Sequence, residues 1–234
     1  MSQELNVQIL EEEPNNIDLS FKIIVIGDSF VGKSCLAMKA TKGIFEDNYT
    51  PTVGFEFFTF FVKIEDSNLK LQIWDTCGQE TYRSLISSFY HNSSLAMLVY
   101  SIDNKNSFDN LEMWLNEIKN INNPDINLFL IGNKADLEEK REITKEIAND
   151  FCHNHGIIFF LETSAKTGLN TQKVFLEAAK SLFNKHLKYK DRLSRPYSLN
   201  NLLGKEDSDD NKNKLTHGNN SKKEEDKPRK KKCC

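Results

Sequence analysis

Apolar positions along the chain fall into short dense runs separated by amphipathic stretches. Phe21-Lys22-Ile23-Ile24-Val25-Ile26 is mostly apolar and β-branched and is closed by Gly27, the pattern of a buried parallel strand. Gly32-Lys33-Ser34 then opens a helical stretch over residues 35–42, which Gly43 is placed to cap. Two extended runs, 55–64 and 69–74, joined by Glu65-Asp66-Ser67-Asn68, predict a hairpin. Further buried strands are predicted at 95–101, 128–132 and 157–161. Amphipathic stretches at 107–120, 144–155 and 171–186 lie between and after them, and Leu111, Trp114, Leu115 and Ile118 recur at helical spacing. Strands alternating with helices predict an α/β domain with a mostly parallel sheet over residues 20–185.

Composition divides the chain differently. It has 234 residues, 38% of them hydrophobic and 28% charged, which fits a soluble globular protein. No run of 18 apolar residues occurs, and Glu11-Glu12-Glu13-Pro14 argues against a secretory signal. Residues 186–234 hold 14 Lys/Arg and 8 Asp/Glu, leaving +6 there and −9 over residues 1–185. An acidic body argues against nucleic acid as a partner, whereas a basic tail suits an anionic membrane surface or simply solubility. Asn, Lys, Asp, Glu and Ser dominate from Ser198 to Lys232, so 186–234 is expected to be disordered and 1–19 to be a flexible extension. Cys35, Cys77 and Cys152 are scattered and Cys233-Cys234 end the sequence, neither a disulfide framework nor a metal-ligand spacing.

Candidate chemistry then concentrates at loop positions. Gly27-Asp28-Ser29-Phe30-Val31-Gly32-Lys33-Ser34 matches G-x-x-x-x-G-K-[ST], with a strand before it and a helix after it. Glycines let the backbone curl so that several N–H groups face one phosphate cluster, while Lys33 adds charge. Ser29, Phe30, Val31, Gly32, Lys33, Ser34 and Cys35 are the candidate phosphate-binding positions. The Ser34 hydroxyl is a candidate Mg²⁺ ligand, and Asp75, at a strand end, would hold the same ion through water.

Asn133-Lys134-Ala135-Asp136 follows the 128–132 strand and points to guanine. A carboxylate can accept both N–H donors on guanine's edge, and adenine offers no such pair. Ser164-Ala165-Lys166, after the last strand, is the companion segment.

Taken together, these motifs resemble the Ras superfamily of small GTPases and, within it, the Rab family, over roughly residues 21–186. The resemblance implies a P-loop NTPase fold (G domain): a mostly parallel six-stranded sheet flanked by helices, with one antiparallel edge strand. It also implies GTP or GDP with Mg²⁺ as ligands. Tyr49-Thr50-Pro51-Thr52-Val53-Gly54 resembles the first switch, with Thr52 sensing γ-phosphate through the metal, and Phe45 falls where the family stacks an aromatic on guanine. Asp75 to Glu80, including Gly78, is similar to the second switch, with Gln79 orienting the attacking water beside Lys33. Val53–Phe57, Lys70-Leu71-Gln72-Ile73-Trp74, Tyr82-Arg83-Ser84-Leu85 and Phe89-Tyr90 resemble Rab segments. Cys233-Cys234 resembles the doubly prenylated Rab end, where two lipid chains anchor stably and one would not. Implied partners are exchange factors, activating proteins, effectors, an escort protein and a dissociation inhibitor. The implied setting is the cytoplasmic face of an endomembrane, as a monomer cycling with cytosol.

The chain departs from the family at Phe30, Cys77, His91-Asn92 and Ser101. Phe30 is expected to lean over the phosphates and impede an incoming arginine. Two other readings stay open: a GTP-binding module with impaired turnover, and a P-loop kinase, for which no lid-like insertion is found. The aromatic run Phe58, Phe60, Phe61 is sheet core or effector surface.

Overall fold

The computed structural model describes residues 5–46, 52, 54–76, 90–120, 123 and 125–194. Among them seven strands form one sheet: β1 (Val7–Leu10), β2 (Leu19–Ile26), β3 (Phe55–Ile64), β4 (Ser67–Thr76), β5 (Leu95–Ser101), β6 (Asn127–Asn133) and β7 (Phe159–Glu162). Their spatial order is β1-β3-β4-β2-β5-β6-β7. The pairs from β4 through β2, β5 and β6 to β7 are parallel; β3–β4 and β1–β3 are antiparallel.

Side chains of the central strands alternate between two apolar layers, as a period of two requires. Ile23 and Val25, with Leu95, Met97 and Val99, join the layer under α1 (Lys33–Lys42) and α5 (Thr171–Ser194). Ile24 and Ile26, with Ala96, Leu98 and Tyr100, join the layer under α3 (Leu111–Lys119) and α4 (Lys145–His155). The predicted apolar stripe Leu111, Trp114, Leu115 and Ile118 is the buried face of α3. Gly43 ends α1 in the left-handed conformation, and its N–H donates to Lys39 O.

Three expectations need correction. The sheet has seven strands rather than six and two antiparallel pairings at its edge, because residues 7–10 add β1 outside β3. Part of the 1–19 extension is therefore built into the sheet: Leu5, Val7 and Ile9 pack on the α1–α5 layer. Likewise α5 runs to Ser194, past the expected domain boundary at 185.

Smaller differences are local. The 107–120 stretch is two helices, α2 (Lys105–Asp109) and α3, meeting at Asn110. Asn104 caps the first, its side chain accepting from the Ser107 N–H. The hairpin turn is only Glu65-Asp66, with Glu65 at φ 51°.

Residues 11–18 connect β1, outside β3, to β2, beside β4, so they must cross the β3–β4 hairpin. They are tacked down on the way. Glu13 pairs with Lys70 at 2.9 Å, the Asn68 side chain donates to Asn16 O at 3.1 Å, and Asp18 accepts from the Asn68 N–H at 2.8 Å. Among the aromatics of β3, Phe58 and Phe60 are core, whereas Phe55 and Phe57 are exposed beside Trp74, with ring centroids 5.2 and 5.4 Å from it. No helix among the described residues is long and apolar enough to cross a membrane.

Candidate functional site

A cleft of about 350 Å³ opens at the carboxyl ends of β2, β4, β6 and β7, where loops converge in an open α/β sheet. The loop after β2 forms its floor. Gly27 starts that loop at φ 145°, and a Cβ there would stand 2.1 Å from Val99 O, so only glycine lets the loop leave β2 against β5. Gly32 follows at φ 91°, directly before α1, whose first residues Lys33 and Ser34 are buried at the cleft. Lys33 Nζ curls back to donate to Gly27 O at 2.9 Å and Asp28 O at 2.8 Å. An ammonium held by carbonyls inside a cleft is ready to serve an anion, beside a helix N-terminus that favours negative charge.

Opposite this lysine three side-chain oxygens meet. Ser34 Oγ lies 2.7 Å from Thr52 Oγ1 and donates to Asp75 Oδ2. Asp75 is fully buried, and its Oδ1 has no hydrogen-bond partner among the described residues. Burial pushes its carboxyl up to about 7, against the pull of Lys33 and the Ser34 hydrogen bond. A buried carboxylate with an orphaned oxygen beside two hydroxyls fits a hard divalent cation such as Mg²⁺, which takes oxygen ligands.

The far wall is built by β6 and the loop after β7. Asn133, buried at the end of β6, donates through Nδ2 to Val31 O at 2.9 Å and Gly32 O at 3.3 Å, while its Oδ1 accepts from Thr163 Oγ1 at 3.1 Å. Both ends of its amide are thus engaged by the protein, and it ties the phosphate loop to the base wall. Lys134 turns the chain at φ 62°, and the Ala135 N–H donates to Thr163 O. Asp136 then stands at the rim, its Oδ1 taking the hydroxyl hydrogen of Ser164. That contact aims the carboxylate, and Ala165 and Lys166 close the wall.

Ser29, Phe30, Cys35, Phe45 and Thr52 also line this cleft. Val31 does not line it: its side chain is in the core and only its backbone serves the loop. Gly78, Gln79, Cys77, Cys233 and Cys234 lie outside the described residues. Sequence reasoning missed Glu46, Thr76 and Leu137 on the cleft wall. Thr76 ends β4 and its hydroxyl donates to Val25 O, a pairing across strands that no local motif signals. Phe30 is 76% exposed at φ 65°, a left-handed conformation that is costly for a bulky residue.

Residues 22–184 match the Ras family model. The chain belongs to the Ras family. As a Ras-family small GTPase it binds guanine nucleotide and hydrolyses GTP. Lys33, Ser34, Thr52 and Asp136 all line the one cleft, and the oxygens of Ser34, Thr52 and Asp75 suit the Mg²⁺ that such proteins typically use.

Proposed function

We propose that the protein is a Rab-like, membrane-associated switch that recruits effectors in vesicle trafficking and hydrolyses GTP slowly. The observation that carries the nucleotide half of this reading is the convergence of Lys33, Ser34, Thr52 and Asp136 in one cleft, with Asp75 buried behind Ser34. Phosphoryl transfer needs little covalent help from the protein, so positioning and charge stabilisation supply most of the catalysis. Lys33 and the loop N–H groups stabilise charge spreading over the γ-phosphate oxygens. Ser34, Thr52 and Asp75 would hold Mg²⁺, which would supply further neutralisation of that charge. Gln79 orients the attacking water. No internal arginine reaches the cleft among its described lining residues, so intrinsic turnover is expected at about 10⁻⁴–10⁻³ s⁻¹, raised roughly 10³–10⁵-fold by an arginine supplied in trans.

Thr52, whose hydroxyl lies 2.7 Å from Ser34 Oγ, would tie the first switch to metal and phosphate, so loss of γ-phosphate would release it for partners to read. Phe55 and Phe57, beginning three residues beyond Thr52 and packed beside half-buried Trp74, offer exposed aromatic area that suits effector docking better than Phe58 and Phe60 do. The Rab and membrane parts rest on the segment resemblances and on Cys233-Cys234 with its basic neighbours Arg229–Lys232. Partners on this reading are exchange factors, activating proteins, effectors, an escort protein and a dissociation inhibitor, at the cytoplasmic face of an endomembrane.

Mass spectrometry of the native protein gives the bound nucleotide and the state of the terminal cysteines together. Bound GDP or GTP and two isoprenoid masses are expected; unmodified Cys233 and Cys234 would remove the membrane half. Phosphate release from GTP but not ATP, dependent on Mg²⁺, tests turnover. Exposed Phe30 at the cleft mouth favours a second reading, a GTP-binding module with impaired hydrolysis. On that reading Phe30→Gly accelerates single-turnover hydrolysis when an activating protein is present. Equal rates for both chains discard it.

A further inference from the structure

Asp28, the second residue of the phosphate loop, belongs neither to the metal-binding oxygens nor to the lining of the cleft, yet both of its carboxylate oxygens are engaged. Oδ2 accepts from Asn110 Nδ2 at 2.7 Å, and Oδ1 accepts from Trp114 Nε1 at 2.8 Å. Asn110 is the junction between α2 and α3, and Trp114, one turn into α3, is fully buried. The indole can only donate, and its ring is locked in the core, so it offers Asp28 one fixed direction. The backbone of the same residue faces the other way, its oxygen accepting from Lys33 Nζ at 2.8 Å. One residue therefore joins the phosphate lysine to α3.

The loop is pinned at three places. Gly27 packs against Val99, Asn133 holds Val31 and Gly32, and Asp28 holds the middle. Of these, only the Asp28 pin reaches a helix. That helix also meets Tyr90, whose hydroxyl donates to Glu117 Oε2 at 3.3 Å where the described chain resumes after the second switch segment. A loop containing two glycines with positive φ samples many shapes when unpinned, and ordering it on binding would weaken affinity.

We propose that Asp28 is a positioning residue, which holds the phosphate loop in its ligand-binding curve through Trp114 and Asn110 and so makes nucleotide release depend on α3. The proposal rests on the guanine-nucleotide reading above.

The test follows release of a fluorescent GDP analogue from the full chain with Mg²⁺, chased by excess GDP. Asp28→Ala is expected to speed release about tenfold, since it removes two hydrogen bonds to a charged acceptor. Trp114→Phe, which keeps the buried ring and removes the donor, is expected to speed it about threefold. Asp28→Asn, which keeps an oxygen for the indole, is expected to fall between wild type and Asp28→Ala. The double variant Asp28→Ala with Trp114→Phe releases no faster than Asp28→Ala alone, because the donor then has nothing left to hold. If Asp28→Ala does not fold, Asp28→Asn takes its place in the same cycle. Ile118→Val, on the buried face of α3, sets the effect of general destabilisation. Wild-type release rates in the Asp28 variants, or independent multiplication of the two substitutions, would overturn the proposal. So would equal acceleration by Ile118→Val at a matched loss of melting temperature. A wild-type chain that retains no GDP analogue overturns the guanine-nucleotide reading instead.

Discussion

The cleft and the strapped β3–β4 hairpin are held together by opposite means. At the cleft, strain and burial concentrate: Asp75 is sealed from solvent with one oxygen unpaired among the described residues, and Phe30 and Lys134 take left-handed backbone conformations. Around the hairpin, residues 5–18 and the hairpin satisfy one another at the surface, through Glu13–Lys70, Asp18–Asn68 and a two-way link between Asn6 and Glu65. Buried unsatisfied groups cost stability and await a partner, whereas exposed pairs are worth little each and await nothing. Substitutions in the cleft should therefore separate binding from stability, and substitutions in the strap should touch stability alone.

The strongest break of this contrast is Lys33→Ala. It is expected to weaken GTP binding by about 10²–10³-fold, since a charge-assisted phosphate contact is lost, while the melting temperature moves by only a few degrees. Titration calorimetry against thermal unfolding checks both sides. Gly27→Ala should do the reverse and cost about 2–4 kcal/mol of stability, because its Cβ has no room against Val99 O. Denaturant unfolding measures it, and a loss below 1 kcal/mol would mean that the loop leaves β2 more loosely than the geometry implies.

Asp75→Asn sharpens the comparison further. Replacing a carboxylate whose charge burial penalises should stabilise the metal-free chain by about 1–2 kcal/mol, yet erase the Mg²⁺ dependence of nucleotide binding. A destabilised variant would show that the carboxylate is already satisfied by the protein. The smallest effect belongs to the strap: Glu13→Ala should change stability by less than about 0.5 kcal/mol and leave the GDP dissociation constant unaltered. A measurable change in GDP affinity would mean that strap and cleft are coupled.

Much of this molecule is legible in order along the chain. Buried strands announce themselves as dense apolar runs, and the apolar stripe of α3 is visible at helical spacing, because burial on one face or both imposes a local period. The phosphate loop is legible for the same reason: a backbone that must curl around an anion needs glycine and lysine within a few residues of each other. β1 was not legible. Val7–Leu10 is four residues long, has no strong pattern, and is a strand only because β3 offers an unpaired edge. The continuation of α5 to Ser194 was hidden by a composition rich in charge, which serves an exposed helix end as well as a disordered tail.

The succession of strands and helical stretches from β2 onward, the phosphate loop and the choice of guanine were readable from the chain alone, because each depends on residues near one another in it. Only the tertiary structure decided that β1 closes the edge of the sheet, that the Asn133 amide spans from the base wall to the phosphate loop, and that Asp28 is held by Trp114, 86 residues away. A carboxylate's partner across such a distance leaves no local trace. It is set by which surfaces the core brings together.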